Sequence, residues 1–166
     1  MTAGPVLIRA ADPHGDHAAL VAQFLGLNRH EAEITGDRRT DIAGAEASLA
    51  AAWTAIAEYD GRALVAEIAG AVVGHGFMLF RDDPAFVMPE LRAHAYVSEL
   101  FVRPEARGRG VATALMAELE RIAAARKMAR IMLSVVAGNA VAEGLYQRLG
   151  YAPYLLTLTK PVQPTD

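Results

Sequence analysis

The 166-residue sequence contains no cysteine. That absence excludes disulfide staples, thiolate zinc sites, iron–sulfur clusters and a cysteine nucleophile together. An excess of positive charge is also missing, because 16 basic side chains face 19 acidic ones for a net of −3. Nucleic acid is therefore not expected as a main partner, since neutralising phosphates calls for a basic surface. No long apolar run is present either. The stretch from Ala63 to Phe80 is interrupted by Glu67, His75 and three glycines, whereas a bilayer helix needs about 20 mostly apolar residues. It reads as a hairpin, and no membrane partner is expected. The first eleven residues lack a basic segment followed by an apolar one. No signal peptide and a cytoplasmic location are the expectation.

What is present is a globular composition, 53% hydrophobic. A chain of this size buries roughly 70% of its unfolded surface, so residues 1–166 are expected to form one domain. Val6 to Arg9 reads as a first strand, broken by Asp12, Pro13, Gly15 and Asp16, which offer caps for a helix from about His17 to Leu27. The polar stretch Asn28 to Thr40 reads as a loop. Ile42, Ala45, Leu49, Trp53 and Ile56 mark a second helix over about Asp41 to Tyr59. Arg62 to Ile68 and Ala71 to Phe80 form a hairpin around Ala69-Gly70. Asp82 to Arg92 reads as a loop, and His94 to Val102 as a strand. A helix follows from about Arg109 to Lys127, with Val111, Leu115, Leu119 and Ile122 on one face. Ala129 to Val136 is apolar enough for a strand buried on both faces. Asn139 caps a short helix carrying Val141, Leu145 and Leu149, Gly150 ends it, and Tyr151 to Leu158 is expected as the last strand. The order predicts a mixed sheet in an α/β or α+β protein.

The stretch from Ser98 to Ala112 carries the chemistry. A strand ends there, and Gly108 and Gly110 lead into a helix. Glycine lets backbone approach a ligand closely, and free N–H groups at a helix start attract anions, phosphate above all. A P-loop would need Lys and then Ser or Thr where Val111-Ala112 stand. A dinucleotide fingerprint would need a third Gly or Ala where Thr113 stands, and should open the first βαβ unit. Neither fits. Arg107, Gly110 and Ala112, preceded by Leu100-Phe101-Val102 and Pro104, resemble the signature of the GCN5-related N-acetyltransferase (GNAT) family. Asn139, Ala142, Leu145-Tyr146 and Gly150-Tyr151 match that family's late helix and strand, and the hairpin matches its second and third strands. The similarity covers about Val6 to Lys160.

The resemblance implies a mixed central sheet of about six to seven strands flanked by about four helices. It implies acetyl-CoA as co-substrate. Backbone of Leu100, Phe101 and Val102 would pair with the pantetheine arm, and amides from Arg107 through Gly108, Arg109, Gly110 and Val111 to Ala112 would hold the pyrophosphate. Asn139 would touch the pantetheine and Tyr146 would lie near the sulfur. The implied activity is acetyl transfer to a primary amine of a small molecule or peptide, with protein N-termini and lysine side chains among the acceptors. A non-catalytic acyl-CoA sensor would share the same site, and a nucleotide-binding protein would share only the glycine turn. Relatives include dimers, so monomer and homodimer both stay open.

Acetyl transfer makes three demands on the residues. An alkyl amine with a pKa near 10.4 is neutral in only roughly one molecule in 2,500 at pH 7, so a base must take its proton. A backbone N–H near Leu100 or Phe101 is the candidate oxyanion donor. The Tyr146 hydroxyl is the candidate acid for the departing thiolate. Glu99, a carboxylate on a central strand, is the candidate base or else a structural partner for a basic neighbour. His75 and His94 are alternative bases that read better as packing histidines. Asp12, His14, Asp16 and His17 straddle a helix start and read as caps rather than a metal cluster. Asp82-Asp83 reads as a solvated turn that could draw a cationic substrate. No G-x-S-x-G surrounds Ser48, Ser98 or Ser134, so serine hydrolase chemistry finds no support. The acceptor is not legible, and its selection is expected in Asn28 to Thr40 and Asp82 to Arg92.

Overall fold

The computed structural model describes residues 4–162. In chain order its elements are β1 (Leu7–Ala10), α1 (His17–Thr35), α2 (Ile42–Glu58), β2 (Arg62–Ile68), β3 (Ala71–Asp82), α3 (Pro89–Arg92), β4 (Ala93–Val102), α4 (Val111–Ala125), β5 (Arg130–Leu133) and α5 (Ala140–Arg148). The strands lie side by side in the order β1-β2-β3-β4-β5. All neighbours are antiparallel except β4 and β5, which run parallel. The sheet is mixed, as expected, but has five strands among the described residues rather than six or seven.

Side-chain alternation divides this sheet between two cores. Along β2, Val65 faces α1 and α2, where Leu20, Phe24, Leu49 and Phe77 are buried with it. Leu64 and Ala66 point to the other face, against Leu115, Met116 and Leu119 of α4. A period of two is what a strand with helices on both faces requires. Full burial of a Leu or Phe contributes about 1.5–3 kcal/mol each, so both layers are anchored. The β2–β3 hairpin turns at Ala69 and Gly70, both with positive φ (50° and 82°), which suits the right-handed twist of the pair.

Four expectations change. α1 does not stop at Leu27 but continues to Thr35, where Gly36 caps it in the left-handed region (φ 71°). Its last turns bury a polar group, because Asn28 Nδ2 donates to Ser48 Oγ on α2 at 3.2 Å. Apolar periodicity therefore fades while the helix goes on. The segment 82–92 contains the short helix α3, tied down by Arg92, which donates to the carbonyls of Val87 (2.7 Å) and Ala85 (2.6 Å). β5 has four residues instead of eight and is half-buried rather than enclosed on both faces. Finally, Tyr151 to Leu158 forms no strand. Tyr151 is drawn back onto α5, its N–H donating to the Tyr146 carbonyl at 2.9 Å, and Pro153 brings no N–H to a ladder. Leu155, Leu156 and Leu158 stay exposed. Ile42 and Val141, placed on apolar faces by spacing, are exposed as well.

Candidate active site

The site begins with a parting of strands. β4 and β5 pair only from His94–Arg130 to Val97–Leu133. Beyond Val97, β4 continues to Val102 with its far edge free of β5. An extended ligand carrying amides can add to such an edge as an extra strand would.

A bulge sits at the point of parting. Phe77 of β3 lies opposite Glu99 and Met78 opposite Val97, so Ser98 is the extra residue. The consequence is a change of parity. Ala95 and Val97 point into the α4-side core, and so do Leu100 and Val102. Glu99 and Phe101 therefore face α1, whereas unbroken alternation would turn Glu99 toward α4. Phe101 confirms that direction by packing on Gly26 of α1.

The chain then leaves β4 through a 3-10 turn at Pro104–Ala106 and reaches Gly108 and Gly110, both left-handed (φ 71° and 77°). Only glycine adopts this geometry without penalty. Among the described residues, the N–H groups from Gly108 to Ala112 find no backbone partner outside α4. Gly110 caps α4, so free amides and the positive end of the helix dipole coincide. This arrangement can hold an anion.

Between the free β4 edge, the start of α4 and α5 lies a cavity of about 340 Å³. Leu100, Phe101 and Val102 line it from β4, and Arg107, Gly108, Gly110, Val111 and Ala112 from the turn. Asn139 and Tyr146 line it from α5. Arg109 lies outside it. Arg107 also acts as a clasp, because its Nε donates to the Val102 carbonyl at 3.1 Å and its guanidinium stands 5.8 Å above the Phe101 ring. Asn139 caps α5 as expected, its Oδ1 accepting from the Ala142 N–H at 3.2 Å. The same oxygen lies 3.4 Å from His30 Nε2 on α1.

A smaller chamber of about 60 Å³ adjoins the cavity. The two share Leu27, Leu100, Asn139, Ala142 and Tyr146 as walls. Glu99 and Tyr146 both line the chamber. Burial pushes the Glu99 carboxyl up to about 7, helped by the negative charge of Glu31 and opposed by Arg38. Burial also pushes the Tyr146 hydroxyl up to about 12. The first can accept a proton near neutrality and the second keeps its own there. The Tyr146 ring packs edge-on against Tyr151 at 5.8 Å, and Tyr151 is anchored by its hydroxyl donating to Glu120 at 2.9 Å.

Other titratable candidates lie elsewhere. His75 is fully buried, stacked on Phe24 at 4.8 Å, with Nδ1 2.8 Å from Gln23 Oε1, and burial presses its pKa to about 3. His94 is buried near the Asp83 carboxylate, which also accepts from Arg130 at 2.7 Å. Neither histidine lines the cavity or the chamber. Asp16 accepts both Arg9 Nη groups (2.7 and 2.9 Å), and Asp12 accepts the His14 N–H at 2.9 Å. Among the described residues no group of three or more metal-ligating side chains gathers, and no helix is long and apolar enough to cross a membrane.

His30 and Glu31 were not among the residues singled out from sequence, yet His30 lines the cavity and Glu31 the chamber. The spacing Leu20, Phe24, Leu27, Glu31 continues one helical stripe with no glycine or proline but Gly26 before Gly36, which is the signal that could have found them. The segment 82–92 lines neither space.

These layers, with the glycine turn opening α4 beside a parted strand, define a GNAT-like α/β protein. A model of the acetyltransferase (GNAT) family matches residues 29–151, and the chain belongs to that family. Among solved structures, the tetramutant of the BH1408 protein from Bacillus halodurans aligns with a TM-score of 0.76 at 19% identity, covering 94% of this chain and 99% of that one. A ribosomal-protein-alanine N-acetyltransferase from Brucella melitensis biovar Abortus 2308 aligns at 0.64 and 19%, covering 96% and 100%. An aminoglycoside N-acetyltransferase in complex with CoA aligns at 0.65 and 16%, covering 99% and 98%.

Proposed function

We propose that this chain binds acetyl-CoA and transfers the acetyl group directly to a primary amine within a ternary complex. The observation that carries this reading is the free edge of β4 beyond Val97, facing a cavity whose other end is the amide-rich start of α4. A pantetheine arm has amides to offer that edge, and a pyrophosphate has charge to offer the helix start. Their separation into one cavity suits a ligand carrying both. The similarity to a CoA-bound acetyltransferase supports the same assignment.

In this reading Leu100, Phe101 and Val102 hold the arm by their backbone, and Gly108 to Ala112 hold the phosphates. Arg107 keeps its Nη groups for phosphate while its Nε steadies β4, and Arg109 contributes charge from outside the cavity. Asn139 orients the arm from the start of α5. The amine enters from the smaller chamber, where Glu99 takes its proton. A β4 N–H stabilises the oxyanion as the carbonyl becomes tetrahedral. Tyr146, at the wall shared by both spaces, gives its proton to the departing sulfur. With no cysteine in the chain, no acetyl group can rest on a protein thiol, which favours direct attack.

The test is CoA release from acetyl-CoA across a panel of amines, with products identified by mass spectrometry. An acetylated amine is expected. Binding of acetyl-CoA with no CoA released from any amine would make the chain a sensor instead. Thermal stabilisation by ATP or NAD but not by acetyl-CoA would overturn the reading altogether.

A further inference from the structure

We infer that the smaller chamber selects an unbranched cationic aminomethyl group, the end of an alkyl diamine or a lysine side chain, and rejects free amino acids. This inference rests on the proposed acetyl transfer and names its acceptor class. Its physical basis is the charge and size of the chamber beside the shared wall.

Two carboxylates line the space, Glu99 from β4 and Glu31 from the last turns of α1. No cation lines it. Arg38, which pairs with Glu31, is already committed: its Nε donates to Glu31 at 2.8 Å and its Nη1 to Asp37 at 2.6 Å. Two carboxylates thus line the space, and Arg38 reaches Glu31 from outside its walls. The remaining polar walls are Ser98, Ser134, Asn139 and Tyr146, and the Ser134 hydroxyl accepts from Tyr96 at 2.9 Å. An ammonium group meets complementary charge here. A carboxylate attached next to the amine would be carried toward Glu31 and Glu99, where like charges repel.

Size narrows the class further. A volume of about 60 Å³ is on the order of two water molecules. It fits an ammonium and its first methylene, so a branched carbon bearing a peptide carbonyl would sit at the chamber's mouth. By their names, a ribosomal-protein-alanine and an aminoglycoside N-acetyltransferase share this fold, so the fold alone does not dictate the acceptor. Glu31 does, as a specificity-determining residue.

The experiment compares 1,4-diaminobutane, Nα-acetyl-lysine amide, alaninamide and alanine as acceptors, in the wild type, Glu31→Gln and Glu31→Asp. Calorimetric binding of 1,4-diaminobutane to the CoA-saturated protein is measured alongside. The diamine and the blocked lysine should surpass alaninamide, and alanine should be poorest. Glu31→Gln should raise KM for the diamine about tenfold with KM for acetyl-CoA unchanged, and Glu31→Asp should recover part of the loss. Circular dichroism checks that the variants are folded. Turnover of alanine equal to that of the diamine, or a diamine KM indifferent to Glu31→Gln, overturns the inference and leaves acetyl transfer standing. Diamine binding that depends on Glu31 without any turnover supports the inference and sinks acetyl transfer. A diamine that binds no better than alanine and yields no product overturns both.

Discussion

Gly26 of α1 and Phe101 of β4 meet so closely that a methyl group on residue 26 would lie 2.7 Å from Cζ of the ring. The ring has little room to retreat, with His75 stacked at 6.1 Å and Arg107 above it. Alanine in place of a helical glycine ordinarily stabilises by about 1 kcal/mol. Here the sign should reverse, because overpacking costs about 1–3 kcal/mol. Urea unfolding of Gly26→Ala should show a lower midpoint than wild type, and a higher one would mean that the contact yields freely.

In the proposed reaction Glu99 sets the acid side of the rate profile. With its carboxyl raised to about 7 by burial and by Glu31, it is protonated below that pH and cannot accept a proton. The value of kcat/KM should fall about tenfold per pH unit below 7. Glu99→Gln should remove that limb and lower the rate roughly 10²- to 10⁴-fold. The same group bears on stability with a definite sign. Between about 4.5 and 7 the folded chain binds more protons at Glu99 than the unfolded chain, so this contribution weakens as pH rises through that window. Chemical unfolding at pH 5 and pH 8 should show the effect in wild type and lose it in the Gln variant.

Tyr146→Phe should lower kcat by at least tenfold and leave the Kd for acetyl-CoA within about twofold. Since burial keeps the hydroxyl protonated to about 12, its ionisation should produce no alkaline fall below pH 10. An unchanged kcat would remove Tyr146 from the chemistry.

Gly110→Ala tests the anion cradle. A Cβ there would meet nothing within 4 Å, so the penalty is conformational, about 1–2 kcal/mol for an L-residue at φ 77°. Affinity for acetyl-CoA should fall five- to thirty-fold. Affinity for S-acetylpantetheine, which has no pyrophosphate, should change far less. Equal losses for both ligands would place the phosphates elsewhere.

The parts of this fold that follow simple periods were legible in the sequence. The β2–β3 hairpin, the α4 stripe of Val111, Leu115 and Leu119, and the glycine turn before it all lie where their patterns put them. The Asn139 cap is formed as well. What escaped were features set by partners distant in the chain. The end of α1 hid because Asn28 is satisfied by Ser48, a polar contact that no apolar stripe announces. The missing last strand hid because Tyr151 to Leu158 has the composition of a strand and lacks a ladder to join. The direction of Glu99 hid because one extra residue, Ser98, reverses the parity of its strand. Residue type marked Glu99 as a candidate base, and only the bulge shows which side of the sheet it serves.

The continuation of α1 to Thr35 has an evolutionary corollary. The larger cavity is built chiefly from the sheet edge, the glycine turn and α5, whereas Glu31 reaches the smaller chamber from one exchangeable helical turn. Under the proposed function, a descendant of this chain can retune its acceptor by redrafting a few residues before Gly36, while every contact that β4 and α4 offer the donor is inherited intact.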